Sequence, residues 1–294
     1  MKGFAKWLIQ LAVALVSIWL ISGVPLLISG FQEGKFLWAD YIDTLKNLID
    51  SLFPIQDFAV EYYMGWHTKQ LPLFPNLAEY IQYSLILLFS ALAAAIIFAL
   101  LGTFFTMLLK ERARQRVKMV FFFLESLPDI LIILLAQLIV VLIYKKTGVL
   151  LSSIAAIGDD RIYVLPVLCL MILPMIQLYR LCMLTFEAEE RQMYVELAKS
   201  LGFSKVFILF AHIFRNAIIS VFFQSKKTMW FMLSNLFILE LMFNIPGIML
   251  FMSQNMSGEL FMITVLSFFL PVFLLYSLGE WAFMRRLKRG GAAL

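Results

Sequence analysis

Residues 194–216 read YVELAKSLGFSKVFILFAHIFRN, a charged helix, a glycine and a second helix set between two apolar runs of membrane length. On a helical wheel Tyr194, Leu197, Ala198 and Leu201 share one face, while Gln192, Glu196, Lys199 and Ser200 share another. Gly202 sits where a C-terminal cap belongs and Ser204 where the next helix begins. The spacing therefore predicts a helix, a sharp corner and a second helix entering the membrane.

The flanks of this stretch identify the solvent. The chain is 62% hydrophobic and only 15% charged, with a mean hydropathy of +0.90. A soluble domain of this length has too little interior to hide that much apolar surface, so lipid must cover it. A spanning helix needs about 20 mostly apolar residues, and six runs qualify: residues 7–28, 81–109, 119–144, 164–186, 218–251 and 261–284. The first follows Lys2 and Lys6 but lacks a clear small-residue cleavage site, and it is read as an uncleaved anchor. Cys169 and Cys182 fall within one run, where residues thirteen apart on a helix cannot bridge. The net charge of +5 is then a matter of membrane topology, and no nucleic-acid partner is expected.

Basic residues set the orientation. Lys2 and Lys6, the connection KERARQRVK (residues 110–118), and Arg285, Arg286, Lys288 and Arg289 fall on one side if the spans number six. The segment 29–80 is acidic, with Glu33, Asp40, Asp43, Asp50, Asp57, Glu61 and Glu79. The positive-inside rule puts both termini in the cytoplasm and residues 29–80 outside. Only Lys145, Lys146 and Arg161 dissent. The chain thus divides into an N-terminal transmembrane helix (1–28), an extracytoplasmic segment (29–80) and a five-helix core (81–294) containing a cytoplasmic loop, 187–217. Within the outer segment ADYIDTLKNLIDSLF (residues 39–53) places Tyr41, Leu45, Leu48, Ile49 and Leu52 at helical spacing, which predicts an amphipathic helix lying on the outer surface. Pro54, Pro72 and Pro75 predict loops after it.

The order Glu196, Ala198, Gly202 resembles the EAA loop, Glu-Ala-Ala-x-x-x-Gly, of the membrane subunits of binding-protein-dependent ABC importers. Tyr194-Val195, Ala198, Gly202, His212 and Arg215-Asn216-Ala217 are similar to the dipeptide, oligopeptide and nickel branch. Downstream, ELMFNIPG (residues 240–247) resembles that branch's Glu-Thr-x-Phe-x-x-Pro-Gly segment through Glu240, Phe243, Pro246 and Gly247. Ser126 and Pro128 match a Ser-x-Pro feature of its third helix. The chain departs from the pattern at Leu197, in lacking a proline soon after Ala217, in reducing Pro-Gly-Asp-Pro to Gly23 to Pro25, and in carrying Gly258-Glu259-Leu260-Phe261 in place of Arg-Asp-Tyr-Pro.

The resemblance implies an all-α integral membrane protein with six transmembrane helices, a MetI-like permease bundle and a cytoplasmic coupling helix. It implies the permease subunit of an ATP-driven importer for peptides, or for nickel or metal chelates, in the plasma membrane of a prokaryote. A second homologous permease, two ABC ATPase subunits and an extracytoplasmic solute-binding protein are the implied partners. Tyr194, Glu196, Ala198, Gly202, Arg215 and Asn216 are the implied coupling residues, with the acid at Glu196 facing basic groups of an ATPase. Lys226, Lys227, Glu240, Phe243, Pro246 and Gly247 are pathway or gate candidates. No Gly-x-x-x-x-Gly-Lys-[Ser/Thr] phosphate loop occurs, so no cofactor is expected in this chain, and ATP and Mg belong to the partner ATPases. Gly202, free of a side chain, permits the corner, and a β-branched residue there should uncouple transport more than it harms insertion.

Ionisable groups at membrane depth point to function. Lys226 and Lys227 lie in a 34-residue run, 218–251, about 50 Å long as a straight helix at ~1.5 Å per residue. Either the fifth helix starts at Thr228 and leaves both lysines at the interface, or it starts near Ile218 and bends at Pro246-Gly247 into an outer gate. Glu125 and Asp129, four apart, are expected on one helix face, paired with KERARQRVK or with a partner. His212 reads as a hydrogen-bonding residue beneath the short helix rather than a metal ligand, since His67 is the sole other histidine, and no metal constellation is expected. A rival reading is an ion-coupled secondary carrier using Glu125, Asp129 and Glu240 as a relay. An exporter subunit is separated from an importer by the EAA resemblance alone, and a membrane-embedded enzyme lacks a nucleophile and base pair.

Overall fold

The computed structural model describes residues 2–24, 27, 38–51, 59–64, 67–72, 76–157, 160–255 and 257–290. The helices are α1 (Lys2–Ser22), α2 (Trp38–Ser51), α3 (Ala78–Leu108), α4 (Glu111–Glu125), α5 (Asp129–Thr147), α6 (Val164–Glu190), α7 (Met193–Ser200), α8 (Lys205–Ile208), α9 (Arg215–Met242), α10 (Ile248–Gln254) and α11 (Gly258–Gly290). A π-helical turn, Leu209–Phe214, joins α8 to α9. Among the described residues five stretches are long and apolar enough to cross a membrane: Ala78–Leu108, Asp129–Thr147, Val164–Glu190, Lys205–Met242 and Gly258–Phe283. The apolar part of α1, Trp7–Ser22, is shorter.

The chain forms two compact units, residues 1–85 with 246–274 and residues 86–245 with 275–294. In the first, α2 follows the predicted amphipathic pattern and packs on α1. Leu45 and Leu48 bury with Ile18 and Met262, and Tyr41 is half-buried against them. Trp19 Nε1 donates to the Leu45 carbonyl (2.9 Å) and the Tyr41 hydroxyl to that of Leu20 (2.8 Å). Leu52 lies outside the described residues. Helix α1 stops at Ser22 rather than at residue 28. A Cβ on Gly23 would come within 2.5 Å of the Tyr41 ring, so this close approach requires glycine; Pro25 lies outside the described residues.

The expected loops after α2 are instead a hairpin, β1 (Ala59–Met64) paired antiparallel with β2 (His67–Pro72), from Ala59 opposite Pro72 to Met64 opposite His67. The fold is therefore not purely α. Val60, Tyr62 and Tyr63 favour extended backbone, and Pro72 is tolerated because it closes a terminal pair of the ladder. Elsewhere in this unit α10 packs on the first turns of α3, with the Ile248 N–H donating to Ser84 Oγ (2.9 Å) and Tyr80 stacked on Phe251.

In the second unit the expected span 119–144 is broken. Helix α4 ends at Glu125 and α5 begins at Asp129, because Pro128 has no N–H to continue the ladder and sits extended as the N-cap of α5. The basic connection is thus a helix of its own, and the membrane-length piece is Asp129–Thr147. Helix α4 is pinned to the end of α6. Arg114, 8% exposed, reaches Glu190 at 3.0 Å and the Met107 carbonyl at 3.1 Å, and Lys118 Nζ reaches Glu187 at 2.9 Å. Helix α6 is the most buried span, contributing Leu178, Tyr179, Cys182, Met183 and Phe186 to the core. Both cysteines are free and buried. Along α9 the C-terminal part of α11 packs closely, with Ser225 Oγ 3.0 Å from the Tyr276 hydroxyl and the Phe222 ring pressed against Gly279.

Candidate functional site

Two residues after α6, Gln192 turns extended and α7 begins. The helix buries Val195 (0% exposed) and Ala198 (5%), whereas Leu197 (61%) and Leu201 (67%) face outward. The inward face is therefore not the Tyr194, Leu197, Ala198 and Leu201 face of the helical wheel. Small Val195 and Ala198 let α7 lie close to the helix behind it, and the larger leucines are left outside. Glu196, Lys199 and Ser200 are exposed as expected, and Glu196 has no ion pair among the described residues.

Gly202 adopts φ +82°. Its N–H donates to the Lys199 carbonyl (3.0 Å) and the Phe203 N–H to that of Ala198 (3.2 Å), the paired bonds of a Schellman cap, for which glycine avoids the Cβ penalty of left-handed backbone. Ser204 Oγ then accepts from the Phe207 N–H (3.3 Å) and caps α8. Between α7 and the segment formed by α8 and the π turn lies an open cleft of about 260 Å³ lined in part by Glu190, Lys199, Lys205 and Ile213.

Tyr194 joins three elements. Its hydroxyl donates to Glu189 on α6 and accepts from Asn216 Nδ2 on α9 (3.1 Å). Burial, with the Glu189 carboxylate next in effect, pushes this hydroxyl up to about 12, so it stays protonated as a donor. His212 and Asn216, four apart across the change from π turn to α helix, share the face turned towards Tyr194; the His212 ring lies 6.2 Å from the Tyr194 ring and 5.9 Å from Phe207. The coupling candidates thus separate: Tyr194, Asn216 and buried Ala198 are gathered, Gly202 turns the corner, and Glu196 and Arg215 stay exposed.

Helix α9 passes through Ile218 from upstream without a break and ends at Met242, so the helix does not start at Thr228, and Lys226 and Lys227 lie mid-helix, both exposed. At its far end Glu240 is fully buried and its carbonyl accepts from the Ile245 N–H (2.8 Å). Phe243 is also fully buried. Its carbonyl accepts from the Ala156 N–H (2.8 Å). Asn244, at φ +50°, donates from Nδ2 to the Ala156 carbonyl (3.1 Å), and Gln137 Nε2 on α5 donates to the carbonyls of Ile154 (2.9 Å) and Met242 (3.2 Å). Gln137 and Asn244 were not singled out in the sequence. Asn244 carried a signal, since asparagine before Ile-Pro-Gly tolerates left-handed backbone; Gln137 carried none. Gly247 is buried and Pro246 half-buried.

The two acids expected on one face sit on different helices. Glu125 closes α4 and accepts from Arg180 Nη1 of α6 (2.9 Å), not from KERARQRVK. Asp129 opens α5 and hydrogen-bonds Asn235 of α9. Each carboxylate has its own partner, and no cluster of His, Cys, Asp and Glu able to hold a metal occurs among the described residues. Residues 99–285, from within α3 to within α11, match the family model described as a binding-protein-dependent transport system inner membrane component. No curated protein matches the chain at a significant level.

Proposed function

Because the chain belongs to the family of binding-protein-dependent transport system inner membrane components, a permease part of an ABC importer rather than an enzyme, we propose that it carries peptides, or nickel or metal chelates. In this reading six helices span the plasma membrane of a prokaryote with both termini in the cytoplasm. A second permease completes the pathway, two ATPases bind ATP and Mg below it, and a solute-binding protein docks outside. Helix α7 is the coupling helix.

The observation that supports this reading most is the Tyr194 junction. A short helix can act as a lever when its movement cannot be absorbed locally. The exposed face, Glu196, Leu197 and Leu201, is what an ATPase groove would hold, while Tyr194 ties the opposite side to α6 through Glu189 and to α9 through Asn216. A push on α7 is then shared by two spanning helices. Gly202 fixes the angle of the corner without strain. The ion-coupled carrier is not favoured, since its relay acids Glu125 and Asp129 are engaged in separate pairings and the family is ATP-driven.

The test is Gly202→Val in the assembled complex in proteoliposomes. Left-handed backbone costs a β-branched residue about 1–2 kcal/mol, although the site is sterically open. The expected result is a fall of about tenfold or more in ATP-dependent uptake with normal membrane insertion. Uptake that is unchanged, or that persists without ATP and collapses with an uncoupler, overturns the coupling role.

A further inference from the structure

We infer that Lys227 makes the pathway selective for anionic solutes, a carboxylate-bearing peptide or chelate, by presenting a cation to water at mid-depth on α9. The inference rests on the pathway reading above. Because α9 is unbroken from Arg215 to Met242, its residues can be assigned to faces. Seven residues make about two turns, so Ser220, Lys227 and Ser234 stand in one line, and all three are exposed. Asn216 and Gln224 flank that line on the neighbouring turns. The buried face of the same helix, with Val221, Ser225, Thr228, Met232, Leu236 and Leu239, points elsewhere.

A lipid-facing stripe would be apolar, and this one is not. Lys227 lies about 18 Å from Arg215 and about 22 Å from Met242 along the axis at ~1.5 Å per residue. The 28 residues of α9 run about 42 Å at that rise, so a core of about 30 Å laid anywhere along the helix leaves Lys227 inside it. A bare ammonium in hydrocarbon is costly, and Lys227 has no ion pair among the described residues. Hydroxyls and amides above and below it supply the remaining groups that water would wet. Lys226, one residue before it, is turned by roughly 100°, and exposed Phe223 and Trp230 stand between the two lysines, within one turn of each. A cation in a narrow aqueous passage raises the local concentration of anions and lowers that of cations.

The test places single cysteines at Ser220 and Ser234 in the assembled complex and measures modification by methanethiosulfonate reagents, one anionic (ethylsulfonate) and one cationic (ethyltrimethylammonium), with each rate normalised to a free thiol. Buried Cys169 and Cys182 set the background, measured on the unsubstituted chain. Each cysteine would lie about 10 Å from Lys227, so the normalised anion-to-cation ratio should fall by about fourfold or more at low salt in Lys227→Gln, recover in Lys227→Arg, and move less in Lys226→Gln. Cysteines that react with a ratio indifferent to Lys227 overturn anion selection and leave the pathway standing. Cysteines that do not react overturn the pathway reading with it. A millimolar tripeptide that slows modification when its C-terminal amide does not assigns the carboxylate to a peptide; nickel citrate that slows it assigns a chelate; protection by neither overturns the solute class.

Discussion

The two ends of α9 are held by different chemistry. At the α7 end the ties are side chains: Tyr194 joins Asn216 of α9 to Glu189 of α6, and beside it the pairs Arg114 to Glu190 and Lys118 to Glu187 join α4 to α6. At the Phe243 end they are main-chain carbonyls and amides, met by Gln137, Asn244 and the Ala156 backbone. Side-chain ties can exchange partners through rotamer changes, whereas a turn whose backbone is bonded into a neighbouring segment moves only with that segment. The first end can yield by exchanging side-chain partners, and the second keeps its shape.

The most severe way to break this contrast is to strip the buried cation. In Arg114→Ala, Glu190 loses its charge partner in a site where the arginine side chain is only 8% exposed, and removing one member of a buried pair costs about 3 kcal/mol or more. The thermal midpoint in detergent should fall by several degrees, and Lys118→Ala, from a more exposed pair, should cost less. Gln137→Ala tests the other end. Two carbonyls lose a donor, about 1–2 kcal/mol, with no change in α7. Equal losses at the two ends would erase the distinction.

The mildest test is pH. Tyr194 is an acid raised from 10.0 to about 12, so the folded form binds its proton more tightly than the unfolded form. The stabilisation is fully present below pH 10 and is lost as pH rises towards 12. Tyr194→Phe should abolish that alkaline component while lowering stability at neutral pH by the lost hydrogen bonds alone.

What was legible in the sequence was local. Gly202 and Ser204 announce a corner because caps are read from single residues, and α2 shows its period because one face meets a core and the other does not. The buried face of α7 was not legible from the wheel, which groups the large Leu197 and Leu201 with Ala198, whereas close approach rewards the small residue. The break at Ser126 to Pro128 was marked by a proline between Glu125 and Asp129, and was missed because the apolar stretches on either side were joined into one run of membrane length. In lipid, outward faces are apolar too, so hydropathy marks the span without marking its interruptions. Gln137 was out of reach, since a lone glutamine says nothing of carbonyls that a distant turn will present to it. Lys227 was visible as a charge, but its alignment with Ser220 and Ser234 has meaning only once the helix is known to run unbroken.

That unbroken run carries a mechanical corollary. From Lys205 to Met242 it counts 38 residues, roughly 57 Å at ~1.5 Å each, nearly twice the hydrocarbon thickness. A beam of that length pivoting near its middle swings its extremities in opposite directions by similar amounts, so a displacement at one becomes an opposite displacement at the other. The looser coil of the π turn, close to the Lys205 extremity, is the place where such a beam would flex first.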